Sequence, residues 1–258
     1  MHPILFKLGP LTLYTYGAAM AAGFLVSIAL AAHVTKRQLR GSVPLPDTAL
    51  VDWGCWTMLG GILGGRLLYV LLNWEVYRAH PLEILALWHG GLVWYGGLVG
   101  GLLAHAGYVR AHHYPFLSAT DQLIPFIALG HAIGRLGCFA NGCCYGRPTT
   151  AWFGVVFPGD VLAVVPTQLF ESASLLVLYV LLRRLQTPLR LRQPGAIFGS
   201  YLVGYALIRW TLERWRADQP IVWVGWTLHQ FISLLAFGIG MTMLIKAASR
   251  PHRLSAHC

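Results

Sequence analysis

The sequence predicts an all-α, polytopic membrane protein of about seven transmembrane helices, and three observations carry that prediction. Hydrophobic residues make up 56% of the 258 residues and charged residues 11%, with a mean hydropathy of +0.59. Soluble domains carry about 25% charged residues, so a chain with less than half of that has too little polar surface to face water. Apolar runs long enough to cross a bilayer recur along the chain, each near the ~20 residues a spanning helix needs. The period-2 alternation of an outer-membrane barrel does not occur. The formal charge of +10 is spread singly between apolar runs. It therefore reads as a topology signal rather than as a groove for nucleic acid.

The spans fall at 12–32, 49–72, 91–109, 119–139, 168–185, 195–213 and 224–245. The stretch 73–90 could hold a short interfacial helix. Positive charge follows the first, third, fifth and seventh spans: Lys36, Arg37 and Arg40; Arg110; Arg183, Arg184, Arg190 and Arg192; and Lys246, Arg250 and Arg253. The opposite side mixes Lys7, Arg78, Arg147, Arg214 and Arg216 with Glu75, Glu83, Asp160 and Asp218. The positive-inside rule then places the N-terminus outside and the C-terminus in the cytoplasm. No linker or low-complexity tract divides residues 1–258, so a single integral-membrane domain is expected. The Gly-, Pro- and Thr-rich stretch 140–167 reads as a small loop-built cap on the outer side. Glycines at 60, 61, 64 and 65 and at 96, 97, 100 and 101 have the spacing that lets helix backbones approach closely in lipid. A groove for a lipid chain is the functional alternative.

Ionisable residues inside apolar runs carry the chemistry: Asp52, Arg66, Asp121, Arg135, Glu171, Arg209 and Glu213. An arginine at mid-bilayer costs ~2.5–3.5 kcal/mol, so each needs a partner or an aqueous cavity. Ion pairs are expected between Asp52 and Arg66, between Arg135 and Asp121 or Glu171, and between Arg209 and Glu213 on one helical face. Arg135 and Arg209 come from different spans at similar depth. Two guanidiniums aimed at one cavity form a fork for a phosphate, and phospholipid headgroups are the abundant phosphates at that depth. The segment 130–146, GHAIGRLGCFANGCCYG, holds five glycines, more than a helix interior tolerates at ~1 kcal/mol each. Its helix is expected to end near Phe139, with a tight loop at Asn141-Gly142 and backbone open to a ligand.

That segment resembles the prolipoprotein diacylglyceryl transferase family. The resemblance rests on His131, Gly134, Arg135, Gly137, Phe139, Asn141, Gly142 and Gly146, with Asp121, Pro125, Leu129 and Gly130 as lead-in. Further matches lie at Tyr16-Gly17, at Arg66 and Tyr69, at Pro166, Gln168, Leu169, Phe170 and Glu171, and at Tyr205, Arg209, Glu213, Arg216 and Asp218. They occur in the family's order, and its seven-span, N-out topology agrees with the charges. The resemblance implies transfer of the diacylglyceryl group of phosphatidylglycerol to the lipobox cysteine thiol of a prolipoprotein, an inner-membrane step of lipoprotein biosynthesis. It implies Arg135 and Arg209 as the catalytic arginines, and Arg135 as the lipid's binding residue. Tyr16, Tyr95, Asn141, Gly142, Tyr205, Glu213 and Arg216 would line or brace the substrate site. It implies no metal and no soluble cofactor.

This sequence departs from the family's pattern at three positions. Tyr95, in GGLVWYGG, stands where the family has a histidine proposed as thiol base. Cys138 replaces an asparagine and Cys143 a glutamate. With a pKa near ~10, tyrosine is a poor base at neutral pH. Three uses of the thiols are open: structural thiols or a staple from Cys138 to Cys143 or Cys144, a redox pair at Cys143-Cys144, or a metal site with His131. Two other functions stay open as well: a paralogue acting on another anionic lipid or acceptor, and a membrane thiol oxidoreductase. A transporter would show inverted repeats of broken helices, and the sequence has none.

Overall fold

The structure, a computed structural model, describes residues 4–8, 11–38, 49–87, 90–186, 193–216, 221–223 and 225–249. Arg40, His89, Arg190, Arg192, Asp218, Arg250, Arg253 and Cys258 lie outside them. The chain is mostly helical. Its elements run β1 (Ile4–Leu8), β2 (Leu11–Tyr14), α1 (Thr15–Gln38), α2 (Ala49–Leu72), α3 (Trp74–Tyr77), a 3-10 turn (Pro81–Leu85), α4 (Trp94–Ala111), α5 (Phe116–Asn141), α6 (Thr167–Leu185), α7 (Ala196–Glu213), β3 (Ile221–Trp223), β4 (Trp226–Thr227) and α8 (Leu228–Ala248). By length and apolar content, α2, α5, α8 and residues Thr15–Val34 of α1 can each cross a membrane. The chain is a multi-pass membrane protein.

Two spans begin a few residues later than expected, for the same reason. The first span begins at Thr15 rather than 12, because residues 4–8 and 11–14 pair as antiparallel strands, β1 with β2. The last begins at Leu228 rather than 224, because β3 and β4 pair across Gly225, which takes φ +76°. Both segments are apolar enough to read as membrane, yet β-branched and aromatic residues flanking a glycine also suit a hairpin. The start of α8 is fixed by a capping box: the Gln230 amide N–H donates to Thr227 Oγ1, and the Thr227 N–H to Gln230 Oε1.

The fold divides into two compact units, one of residues 28–119 and one of residues 1–27 with 120–258. In the first, α2 and α4 pack backbone against backbone. A Cβ added at Gly64 would lie 2.4 Å from the Gly96 carbonyl oxygen, and one at Gly100 would lie 2.2 Å from that of Gly60. The glycine stripes are therefore a helix–helix seam, as the packing reading expects. Trp53 is fully buried beside this seam; its indole N–H donates to His105 Nδ1 at 3.1 Å, and its ring stacks on Tyr108. His105 is thus a packing residue.

The expected Asp52–Arg66 ion pair does not form. Fourteen residues apart on one straight helix, the two are separated by about 21 Å. Arg66 is buried and donates instead to a ring of main-chain carbonyls. They belong to Glu83 (2.5 Å), Ile84 (2.9 Å), Ala86 (3.2 Å), Gly90 (2.6 Å) and Gly91 (3.2 Å). The rings of Tyr69 and Tyr77 flank its guanidinium at 5.7 and 5.3 Å. All five N–H donors of the guanidinium are thereby directed at oxygen or aromatic faces, which answers its desolvation without a carboxylate.

In the second unit, Ile124, Ala132, Leu175, Leu178, Leu182 and Ile197 form the core between α5, α6 and α7. Pro125 lies inside α5 and supplies no N–H, which orphans the carbonyl four residues back. Gln186 Nε2 donates to that carbonyl, of Asp121. The Asp121 carboxylate caps α7, accepting from the N–H groups of Gly195 (2.7 Å) and Phe198 (2.8 Å). Gly195 takes φ +93°, a conformation open to glycine. Between Asn141 and Thr167 the described chain has no helix. It is held by β-bridges from Val164 to Pro148 and Val155, and by a bridge from Gly146 to Arg216.

Candidate active site

Gly130, Gly134 and Gly137 lie on one face of α5. The sequence suggests that such a face opens the backbone to a ligand, but here it admits α1. An added Cβ would meet Ser27 Oγ at 2.9 Å, Met20 Sδ at 2.9 Å and Ala19 Cβ at 2.6 Å respectively. This contact seats Tyr16, at the first turn of α1, whose backbone passes 3.5 Å from the Gly137 position. The helix ends at Asn141, two residues beyond expectation, and Gly142 turns it with φ +73°. Asn141 is exposed and Gly142 half-buried at the mouth of the turn.

Arg135 stands two turns before that end. Its Nη2 donates to Glu171 Oε1 at 2.9 Å, and the Glu171 side chain is 1% exposed. Glu171, on the first turns of α6, thus takes the role left open between it and Asp121. His131 Nε2 lies 3.7 Å from the same oxygen, and the Tyr205 hydroxyl donates to it at 3.4 Å. On α7, Arg209 Nη2 pairs with Glu213 Oε2 at 2.8 Å, one turn apart as the spacing predicts. Glu213 Oε1 accepts the Thr227 hydroxyl at 2.6 Å and lies 3.7 Å from His229 Nδ1. The capping threonine of α8 therefore also braces the carboxylate on α7.

The two arginine clusters adjoin. His131 and Tyr205 each interact electrostatically with both Arg135 and Arg209, and their rings lie 5.3 Å apart. Each guanidinium keeps one buried donor with no acceptor among the described residues: Nε of Arg135 and Nη1 of Arg209. A buried N–H left unpaired costs about 1–3 kcal/mol. Two such donors, from cations already part-neutralised by one carboxylate each, suit an incoming anion.

Beyond the turn, Cys138, Cys143 and Cys144 gather, their sulfurs all within 4.8 Å of one another. The described cysteines are free thiols, so of the uses left open the staple is not formed there. Cys144 lies outside the helices. Hydrogen bonds from Cys138 and Cys143, with the cations of Arg216 and Arg135, hold its thiol below the ordinary range. Arg216 is buried where the chain leaves α7, and its carbonyl accepts from Arg147 Nε at 3.3 Å. Tyr95 stands on the first turn of α4, in the other unit, with a buried hydroxyl.

The structure thus gathers Arg135, Arg209, Tyr205, Glu213 and Arg216 in one unit, with Tyr16, Asn141 and Gly142 around the end of α5. Sequence reasoning missed Thr227 and His229 as neighbours of Glu213, and gave Gln168 no structural part. Gln168 is buried on α6, and its Nε2 donates to the Cys143 carbonyl at 2.6 Å. Nothing in the sequence brings Thr227 back to a residue fourteen positions earlier. Gln168 sits within PTQLFES, where a buried amide among apolar residues is a usable signal.

A model of the family described as prolipoprotein diacylglyceryl transferase matches residues 3–246. Curated relatives carry the name phosphatidylglycerol–prolipoprotein diacylglyceryl transferase. One from Synechococcus elongatus is 33% identical over 94% of this chain and 86% of its own length. One from Bordetella avium is 34% identical over 97% and 96%. One from Nitrosomonas europaea is 35% identical over 95% and 89%.

Proposed function

The chain belongs to the prolipoprotein diacylglyceryl transferase family, and on that premise we propose that it transfers the diacylglyceryl group of phosphatidylglycerol to the lipobox cysteine of prolipoproteins. A thioether forms and glycerol-1-phosphate leaves. The observation that carries this reading is the pair of buried guanidinium donors on Arg135 and Arg209, clustered around His131 and Tyr205.

The acceptor sulfur attacks a CH2 carbon of the lipid, and the C–O bond to phosphate breaks. The leaving group is a phosphate monoester, stable as an anion, so it needs charge stabilisation more than protonation. Fixed donors in a low-dielectric site supply that without reorganising. Arg135 takes the phosphodiester, and Arg209 meets the charge as it develops. Glu171 and Glu213 hold the two guanidiniums at fixed angles. Tyr205 orients Arg135 through their shared carboxylate, Glu171. Tyr16, Asn141 and Gly142 form the rim at the end of α5, and Arg216 adds positive charge beside the loop. For Tyr95, a substrate contact rests on the resemblance alone.

The protein sits in the bacterial inner membrane as one integral-membrane domain with about seven spans. Its N-terminus and its 140–167 cap are outside, and its C-terminus is cytoplasmic. The distribution of Lys and Arg supports that orientation. The test is lipidation of a lipobox peptide by purified protein in phosphatidylglycerol micelles. Wild type is expected to yield the diacylglyceryl thioether, and Arg135→Ala to lose it. No thioether from wild type, while a relative makes it in the same assay, would overturn the reading.

A further inference from the structure

We propose that Cys138, Cys143 and Cys144 form a three-thiolate zinc site whose open fourth position takes the acceptor cysteine. The proposal rests on the transferase reading for the identity of that acceptor, and on the sulfur cluster for everything else.

The three sulfurs lie within 4.8 Å of one another, with Cys143 Sγ and Cys144 Sγ 3.3 Å apart. Tetrahedral zinc with Zn–S near ~2.3 Å sets its sulfurs about 3.8 Å apart, so small rotamer changes suffice. The loop is held from both sides. The Cys143 N–H donates to the Cys138 carbonyl at 3.2 Å, Gln168 Nε2 to the Cys143 carbonyl at 2.6 Å, and Thr167 Oγ1 to the Cys144 carbonyl at 2.9 Å. Gln168 and Thr167 are each 1% exposed. Cys144 takes φ +68°, unusual for any residue but glycine, and this turn brings its sulfur back to its neighbours.

Charge favours the same assignment. Three thiolates around Zn2+ leave a net negative site; Arg135 and Arg216 both interact electrostatically with Cys144, and Arg135 also with Cys138. The donor set is all sulfur, which suits a soft or borderline ion and not Mg2+ or Ca2+. His131 does not complete a four-ligand site, because the donor atoms that converge there are those of Cys138, Cys143 and Cys144 alone among the described residues. Three protein ligands and one vacancy is the pattern of a zinc centre that works on a substrate rather than one that only holds a fold.

The chemistry answers the loss of a base at position 95. A thiol bound to zinc is deprotonated without a neighbouring base. Arg135 and Cys138 are three apart on α5 and share a helical face. The sulfur cluster therefore lies beside the arginine that takes the phosphate. In the step, the acceptor S–H gives up its proton on coordination, and the sulfur forms the C–S bond. The C–O electron pair leaves on the phosphate, and the departing monoester takes up a proton. Nothing is oxidised or reduced.

The test uses the full chain purified in detergent, with Co2+ exchanged for zinc as a spectroscopic probe. Wild type is expected to carry zinc and, with Co2+, to show a sulfur-to-cobalt charge-transfer band. That band should grow by about a third on adding a lipobox peptide, as three thiolates become four. Cys143→Ser is expected to weaken the band, and Cys55→Ser to leave it intact. Lipidation should fail after chelation and return with zinc. Absence of a thiolate band in wild type overturns the site, and a band blind to the peptide overturns its role. Unchanged lipidation by chelated wild type and by Cys143→Ser sinks the inference while the transferase reading stands. A band that responds to peptide with no lipidation under any condition sinks the transferase reading alone.

Discussion

Arg135 and Arg209 are each paired to a carboxylate and each retain a buried donor, and that arrangement decides what substitutions there do. Arg135→Lys keeps the charge but removes the fork and the Nε donor. It is expected to lower kcat about 10²-fold, the scale of losing one preorganised donor, as read from initial rates of peptide lipidation. Arg209→Ala removes the partner of a Glu213 side chain that is 1% exposed. Stranding a buried carboxylate in this way costs about 3–5 kcal/mol. That variant should therefore lose thermal stability in detergent as well as activity, whereas Arg209→Lys should lose mainly activity. The arginines were legible as candidates because a charge inside an apolar run demands a reason. Their exact partners were not. The sequence offers Asp121 or Glu171 to Arg135, and only packing shows that Asp121 is engaged at the start of α7. Asp52 and Arg66 do not pair because fourteen residues of one helix set the two charges about 21 Å apart.

At the scale of elements, Asp121 links two helices through one carboxylate. Asp121→Ala leaves the first amides of α7 without that acceptor and should cost about 1 kcal/mol or more in unfolding stability. Asp121→Asn keeps an acceptor and should cost less. The α2–α4 seam leaves no room for side chains. Gly64→Leu would drive atoms into the Gly96 backbone, where even a Cβ lies 2.4 Å from oxygen. It is expected to reduce the yield of folded protein, measured by size-exclusion chromatography in detergent, more than Gly61→Ala, whose Cβ has 3.4 Å. Helices and seam were legible because apolar length and glycine spacing act locally. The two hairpins were not, because a short apolar strand and the end of a spanning helix have the same composition, and only pairing with a second strand tells them apart.

For the whole molecule, the charge distribution fixes the expected orientation. A reporter enzyme that folds only outside the cytoplasm, fused after Ala248, should be silent, and the same reporter within 140–167 should be active. The reverse pattern would invert the topology and place the loop of Cys143 and Cys144 on the cytoplasmic side. What the sequence could not supply at this scale is the division into two compact units, since no linker marks a boundary that falls inside helices α1 and α5. The guanidinium of Arg66, ringed by five main-chain oxygens, has one more implication. It does what a bound potassium ion does inside a crown ether, with the cation covalently leashed to the host. Such a centre cannot be washed out by dilution or competed away by salt. The turn between α3 and α4 thus keeps its organising ion for as long as the chain stays intact.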